Sequence, residues 1–358
     1  MINVTKTFLP SFDTYIAILK RAWDKSHITN NGILVQELEQ GLKEYLGVKH
    51  LFFTSNGTVV LQMALKAYNI SKEVITTPFS YVATTNAILW ENCTPVFVDI
   101  NRQTFCIDAD KIERAITEDT QAIMATHVYG YPCDVEKIQT IADKHKLKVI
   151  YDGAHAFGCV LKGKALLSYG DISTCSFHAT KLFHTVEGGC MITDDDEIAN
   201  KLMLYRQFGH INDDYFSIGI NGKNSEFHAA MGLSILPQFD QIVKRRKEVS
   251  DYYDQQLSKK IYRPGVTDSS FTYNYSYYPI VFESEEQLVK IKAILLENGY
   301  NTRRYFYPSL NELPYSKEVA PCPVSEEISR KVLCLPTFFD LEQADQKKIS
   351  EIINQYLK

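Results

Sequence analysis

No stretch of the 358-residue chain approaches the roughly 20 consecutive apolar residues that a membrane-spanning helix requires. The eight cysteines form no C-x-x-C pair, and a chain of this length needs no disulfide staples. Cys334, inside the apolar run Val332–Leu335, reads instead as a small buried hydrophobe. A basic surplus is also missing: 38 Lys and Arg face 43 Asp and Glu, for a formal net charge of −5. The densest basic run, Lys244–Lys247, reads as a solvated helix face, so there is no electrostatic footprint for nucleic acid. No G-x-G-x-x-G follows the first strand, which removes a nicotinamide-binding Rossmann protein. Asp194–Asp196 lacks ligand spacing, and no metal site is expected. The start of the chain lacks a charged segment followed by an apolar one, so no signal peptide is expected and a reducing cytoplasm is the default.

With 45% hydrophobic residues the chain can bury a large core, and its length suggests about two domains. Between about Gly32 and Leu236, short β-like runs alternate with helical patterns. The strands are read at 51–54, 74–77, 95–99, 122–127, 148–152, 172–177 and 190–193. Alternation at this spacing implies a mostly parallel sheet with helices on both faces, and Val149-Ile150-Tyr151 has the unbroken apolar character of a buried parallel strand. A long helix is expected over 226–236, resuming after Pro237 to Leu257. Beyond it lies a smaller α+β unit: a strand at 277–282, a helix over 285–298 closed by Gly299, and a final helix over 341–356 with Asp340 as N-cap. We divide the chain into residues 1–245, including the N-terminal segment, and residues 246–358.

The stretch Ser176–Gly189 carries most of the chemistry. Lys181 follows a strand end and precedes a glycine pair, which puts an amine at the carboxyl edge of the sheet, where such folds bind ligands. Burial lowers a lysine pKa and lets the amine serve as nucleophile and base. Gly57 and Thr58 lie between a strand and a helix, where free N–H groups and the helix dipole favour a phosphate; Ser55 or Asn56 would be an ordinary cap there. Asp152 ends a buried strand, where a carboxylate is costly unless paired or serving as a cap.

Taken together, these segments resemble the DegT/DnrJ/StrS family of sugar-nucleotide aminotransferases. Ser176-Phe177-His178-Ala179-Thr180-Lys181, followed by Glu187-Gly188-Gly189, is similar to the family's lysine motif. Asn56-Gly57-Thr58, Thr77–Thr84, His127–Gly130, Tyr151–Ala156, Gly222–Ala230 and Leu333–Thr337 resemble further family segments, so the likeness runs through nearly the whole chain. Val186 departs from it, since many relatives carry glycine before the Glu-Gly-Gly, and no histidine follows Pro308 within a few residues.

The resemblance implies an α/β fold of the aspartate-aminotransferase type (fold type I) and pyridoxal 5′-phosphate as cofactor, passing through its pyridoxamine form. It makes Lys181 the Schiff-base lysine and general acid–base, Asp152 the partner of the pyridine nitrogen, and Ser176 a phosphate ligand alongside Gly57 and Thr58. Tyr81 would stack on the ring, with Phe79 as the alternative. His155 would meet the ring hydroxyl region, or else be a satisfied core histidine. Asn224 would cross to the neighbouring subunit's phosphate in a homodimer, and His178 and His184 would stand behind the reacting groups. The implied reaction moves an amino group from an amino acid, glutamate by family expectation, to a nucleotide-linked keto sugar. A dTDP-4-keto-6-deoxyhexose is the preferred acceptor, a 3-keto sugar the alternative. A related dehydratase would carry histidine in place of Lys181, and a non-catalytic regulator should show a damaged site or an added DNA-binding segment. Neither feature is present.

Overall fold

The computed structural model describes residues 1–316 and 320–357. Seven strands form the central sheet: β1 (His50–Thr54), β2 (Glu73–Thr76), β3 (Thr94–Phe97), β4 (Thr120–Thr126), β5 (Lys148–Asp152), β6 (Ile172–Ser176) and β7 (Gly189–Thr193). Their spatial order is β1-β7-β6-β5-β4-β2-β3. Strands β2 to β6 pair in parallel, whereas β7 runs antiparallel to both of its neighbours, β6 and β1. The expected mostly parallel sheet is therefore present, and the one reversed strand has a consequence. A parallel neighbour would need a crossover to the opposite edge. An antiparallel one lets the chain turn back where it is, so residues 177–188 stay at the carboxyl edge and hold Lys181 there.

The helices cover this sheet for reasons visible in their apolar spacing. α1 spans Phe12–Trp23, and α2 (Ile33–Leu46) buries Leu34, Val35, Leu38, Leu42 and Leu46 along one stripe before Gly47 ends it with φ +64°. α3 (Gly57–Ala67) is buried almost all round, and its N-terminus faces the carboxyl edge of the sheet. The 226–257 helix is interrupted as expected: α4 (Glu226–Ile235), a 3₁₀ turn containing Pro237, and α5 (Phe239–Gln256).

A second hydrophobic cluster begins at Val249 and includes Tyr278, Ile280, Leu288, Ile291, Leu333 and Ile353. It sits around the antiparallel pair Tyr278–Val281 and Val332–Leu335, with helices Glu285–Glu297 and Gln343–Tyr356 against it. One expectation changes here. Asp340 is not the cap of the last helix, because that helix starts two residues later than expected, with Glu342 at its N-cap; Asp340 instead pairs with Lys6. Ile2–Asn3 pairs in parallel with Tyr300–Asn301 of the small unit, while Val4, Leu19 and Ala22 pack into the large core. From there residues 4–8 run toward the Lys181 loop: Thr7 Oγ1 donates to Ala179 O (2.9 Å), and His184 Nε2 meets Phe8 O at 2.7 Å.

The 177–188 loop is held by its own backbone. Phe177 N donates to Gly188 O (2.8 Å), Ala179 N to Val186 O (2.7 Å) and Thr185 N to Phe177 O (2.9 Å). Gly189 is required by crowding, because a Cβ there would stand 2.7 Å from Asn56 O and 2.9 Å from Cys175 O. Val186 has φ +67°, the left-handed region that a β-branched residue tolerates badly, and its side chain finds no burial in return. Replacing it with glycine relieves about 1–3 kcal/mol of strain against roughly 1 kcal/mol of added unfolded-state entropy. We expect Val186→Gly to raise the urea unfolding free energy by about 1 kcal/mol. A loss of stability in that measurement would refute the strain argument.

Candidate active site

A cavity of 320 Å³ opens at the carboxyl edge of β4, β5 and β6. Seven of the eight predicted site residues line it: Gly57, Thr58, Tyr81, Asp152, His155, Ser176 and Lys181. Asn224 does not.

At one end stands the N-terminus of α3. Asn56 is its cap, and Asn56 Oδ1 accepts from Thr58 N and Val59 N, both at 2.9 Å. The Thr58 N–H is thus committed to the cap. The Gly57 N–H, one of the donors a first turn leaves free, and the Thr58 and Ser176 hydroxyls remain for an anion. A Cβ on Gly57 would lie 2.6 Å from Ser176 Cβ and 2.8 Å from Ser176 Oγ, so glycine alone lets this turn approach the end of β6. The cap reading and the anion reading hold together.

The opposite end carries Asp152, which is buried with both oxygens engaged. Oδ2 accepts from Thr84 Oγ1 (2.7 Å) and Oδ1 from Ala154 N (3.1 Å). Between the two ends is Lys181. Burial lowers its ammonium pKa from the ordinary lysine value, and the nearby Asp152 charge opposes that shift without cancelling it. The amine is therefore neutral at lower pH than a solvated lysine. His155 has features of both readings offered for it. Its Nδ1 accepts from Tyr129 N (3.2 Å), its ring stacks on Phe306 (5.6 Å, 15°), and it still lines the cavity. Because Nδ1 is an acceptor, the ring proton of neutral His155 resides on Nε2. Tyr81 lies at the mouth, 58% exposed, whereas Phe79 is buried among Phe105, Tyr129 and Phe306 and is no candidate for a ligand-facing ring.

Asn224 is held within its own chain. Its Nδ2 donates to Thr54 O (3.0 Å) and Glu187 O (2.9 Å), and its Oδ1 accepts from Ser225 N, so every polar group of the side chain is engaged within its own chain. It fastens the end of β1 to the Lys181 loop; Asn221 on the same segment is exposed. Glu226, in the same motif, is fully buried and caps α2 by accepting from Leu34 N (2.7 Å) and Val35 N (3.2 Å). His178 Nε2 is 3.5 Å from Glu187 Oε1, and His184 is buried under the Phe8 contact. The sequence reading missed Thr84, Tyr277, Tyr305 and Arg303. The last three come from the small unit, lining the cavity across from Lys181. Thr84 was visible only as part of a motif, and nothing along the chain signals that 303–305 faces residue 181.

Burial holds His127, His155 and His184 neutral, with His127 pushed down to about 3 and the other two below the ordinary histidine value. The unfolded chain takes up these protons below about pH 6.5 and the folded chain does not. Their contribution is therefore intact above about pH 6.5 and is lost as pH falls toward the folded values, down to about 3 for His127. Between pH 7 and 5.5, where carboxylates stay ionised, the two most strongly shifted of these, His127 and His155, together cost about 2 kcal/mol. Urea unfolding at those two pH values should show a loss of that order, and equal midpoints would exclude buried neutral histidines.

The DegT/DnrJ/EryC1/StrS aminotransferase family model matches residues 13–354. A dTDP-4-amino-4,6-dideoxy-D-glucose transaminase of Shigella dysenteriae is 41% identical over 350 residues, covering 95% of both chains. The enzyme of the same name from Escherichia coli is 39% identical over 365 residues and 98% of both chains. Among solved structures, that of DesI in the presence of its TDP-sugar product superposes with a TM-score of 0.93 at 31% identity, covering 99% of this chain and 92% of that one. With Lys181, Asp152 and the α3 turn converging on one cavity, and with relatives of this kind along the full length, the chain belongs to the DegT/DnrJ/EryC1/StrS aminotransferase family.

Proposed function

We propose that this chain is a pyridoxal-phosphate enzyme that transfers an amino group from an amino acid, glutamate by family resemblance, to a dTDP-linked 4-keto-6-deoxyhexose. The observation that carries this reading is a buried Lys181 amine in the same cavity as a buried Asp152 carboxylate and a capped helix N-terminus. The cavity residues fit the cofactor at each end. Gly57 N–H with the Thr58 and Ser176 hydroxyls would hold the phosphate, the Asp152 carboxylate would face the pyridine nitrogen, and Tyr81 would cover the ring. When bound, pyridoxal phosphate supplies an electron sink for charge that develops at the substrate carbon. The chain's own residues do the rest. Lys181 Nζ would be the amine that holds the cofactor and, once released, the group that moves a proton between carbons; burial, which lowers its pKa, favours both roles. His155 and the phenol of Tyr305 flank that amine and limit the water that reaches it.

The choice of a nucleotide-linked 4-keto sugar follows the names of the two transaminases and the DesI ligand described above. Arg303 supports an anionic substrate: it lines the cavity, its guanidinium lies 5.4 Å from the Tyr305 ring centre, and the two acids that line the same cavity, Asp152 and Glu187, have Thr84 and His178 as partners. We also assign a homodimer. Phe208, Ile211, Tyr215, Phe216, Ile218 and Ile220 are all exposed on and around the hairpin His210–Tyr215, an apolar patch of the kind an isologous contact buries. The exposed residues Ile220 and Asn221 are then the part of this segment open to a neighbour. A cytoplasmic location fits the free cysteines, all eight of which are buried and unpaired.

Purified protein incubated with glutamate and a panel of keto sugar nucleotides should aminate a dTDP-4-keto-6-deoxyhexose, read by mass spectrometry of the product. Lys181→Ala should lose at least about 10³-fold in kcat. Turnover confined to 3-keto sugars would reverse the position assigned, and turnover by Lys181→Ala would remove the lysine from the chemistry. The lowered Lys181 pKa has its own consequence. Reconstitution of the cofactor-free enzyme requires the neutral amine, so its rate rises with pH through the folded-state pKa. The midpoint should fall below the ordinary lysine value of 10.5. A midpoint at or above that value would show that the amine is solvated.

A further inference from the structure

Four side chains on three different elements form one continuous buried line ending at Asp152. Thr84 Oγ1 is 2.7 Å from Asp152 Oδ2, Ser80 Oγ is 2.8 Å from Thr84 Oγ1, and Thr126 Oγ1 is 3.1 Å from Ser80 Oγ. Thr84, Ser80 and Thr126 are all at most 1% exposed. The sheet register explains why they meet, since Thr126 and Asp152 are direct partners across β4 and β5, while residues 80–84 descend onto that edge from the end of β2.

The direction of this line follows from counting protons. An ionised carboxylate only accepts, so the single Thr84 hydroxyl proton is spent on Asp152 Oδ2. Thr84 Oγ1 must then accept from Ser80, whose proton is spent in turn, and Ser80 Oγ accepts from Thr126. All three O–H dipoles point the same way, toward the carboxylate. Hydrogen bonds in such a chain polarise one another, and the low local dielectric strengthens each. A chain that merely satisfied buried hydroxyls would have no need to terminate on a charge, because a threonine in a first helical turn can bond back to a backbone carbonyl.

We propose that Thr84, backed by Ser80 and Thr126, is the positioning residue that fixes the Asp152 carboxylate toward the cofactor ring. Oδ2 is held from the Thr84 side and Oδ1 from Ala154 N, so the carboxylate plane is set by two donors before any ligand arrives. Each oxygen keeps a lone pair for a ring N–H, and the preset plane removes the cost of orienting the group during binding. The inference rests on the reading of Asp152 as the residue that faces the pyridine nitrogen.

The test uses Thr84→Val, which keeps the shape and removes the hydroxyl, beside Thr84→Ser, which keeps the hydroxyl. Two readouts are needed besides activity: the pyridoxal-phosphate dissociation constant and the pH midpoint of the bound cofactor's absorbance. Losing one charge-assisted hydrogen bond predicts about 10- to 100-fold weaker cofactor binding in Thr84→Val, with a shifted absorbance midpoint. Thr84→Ser should return both to within about threefold of wild type. Ser80→Ala, one link further from the charge, should shift both in the same direction by a smaller factor, and it decides the question if Thr84→Val does not fold. Wild-type affinity and midpoint in Thr84→Val or, failing that variant, in Ser80→Ala would overturn the proposal. Equal defects in Thr84→Val and Thr84→Ser would also overturn it, by assigning the effect to packing. A wild-type protein that binds no pyridoxal phosphate would instead sink the functional reading itself, a result distinct from any of these.

Discussion

The site depends on keeping an amine and a carboxylate buried in one cavity without letting them neutralise each other. Two opposite charges in a low dielectric attract strongly, and a closed Lys–Asp pair would be inert as a nucleophile. The structure avoids this by giving Asp152 other partners. Thr84 and Ala154 occupy one position on each oxygen, while Lys181 sits on a separate loop where burial lowers its pKa more than Asp152 raises it. A carboxylate stabilised by neutral donors remains able to accept from a ring nitrogen, and an amine without a counter-ion remains able to attack. Each group's availability is a consequence of what holds the other.

The reversed strand β7 is the architectural side of the same arrangement. In a wholly parallel sheet the chain leaving β6 would cross a face and return from the other edge. The antiparallel step keeps 177–188 at the carboxyl edge, and the loop is then anchored from three sides: by its own backbone pairs, by Asn224 through Glu187 O, and by the N-terminal segment through Thr7 and His184. That last anchor also ties residues 2–8 to both the small unit and the lysine loop. The strain at Val186 is sustained because so many other contacts determine the loop's path.

Much of this was legible in the sequence, and the parts that were not share a cause. Strands such as 148–152 could be read because burial on both faces writes an unbroken apolar run, and Asp152 and Lys181 could be read because the first ends such a strand and the second lies on the loop after another. The bonds of Asn224 within its own chain could not be read, because a motif identifies a residue without saying which of its neighbours it bonds. Its amide is used up by Thr54 and Glu187, 170 and 37 residues away along the chain. Glu226 capping α2 across 192 residues escaped for the same reason. The Asp340 cap failed on a shift of two residues, within the ordinary imprecision of a helix start. Arg303 and Tyr305 were invisible as site residues because the small unit meets the cavity only in three dimensions.

That meeting bears on how one site can serve two different substrates in turn. Transfer in two stages requires the same amine and carboxylate to face first an amino acid and then a keto sugar, so specificity cannot reside in the β4–β6 edge, which stays constant. In the proposed reading it comes from the wall that the small unit contributes, where Arg303 supplies a cation and Tyr277, Tyr305 and Phe306 supply flat apolar surface. A single cation above aromatic rings is suited to both partners: it can hold a carboxylate of the donor or a phosphate of a nucleotide, while the rings cover an amino acid's methylene carbons or one face of a sugar. The Tyr129 hydroxyl, bonded to Tyr305 O, and the Tyr273 hydroxyl, 3.0 Å from Tyr129 O, fasten that wall to the end of β4. The division of labour is therefore spatial, with the sheet edge fixing the chemistry and the small unit choosing what reaches it.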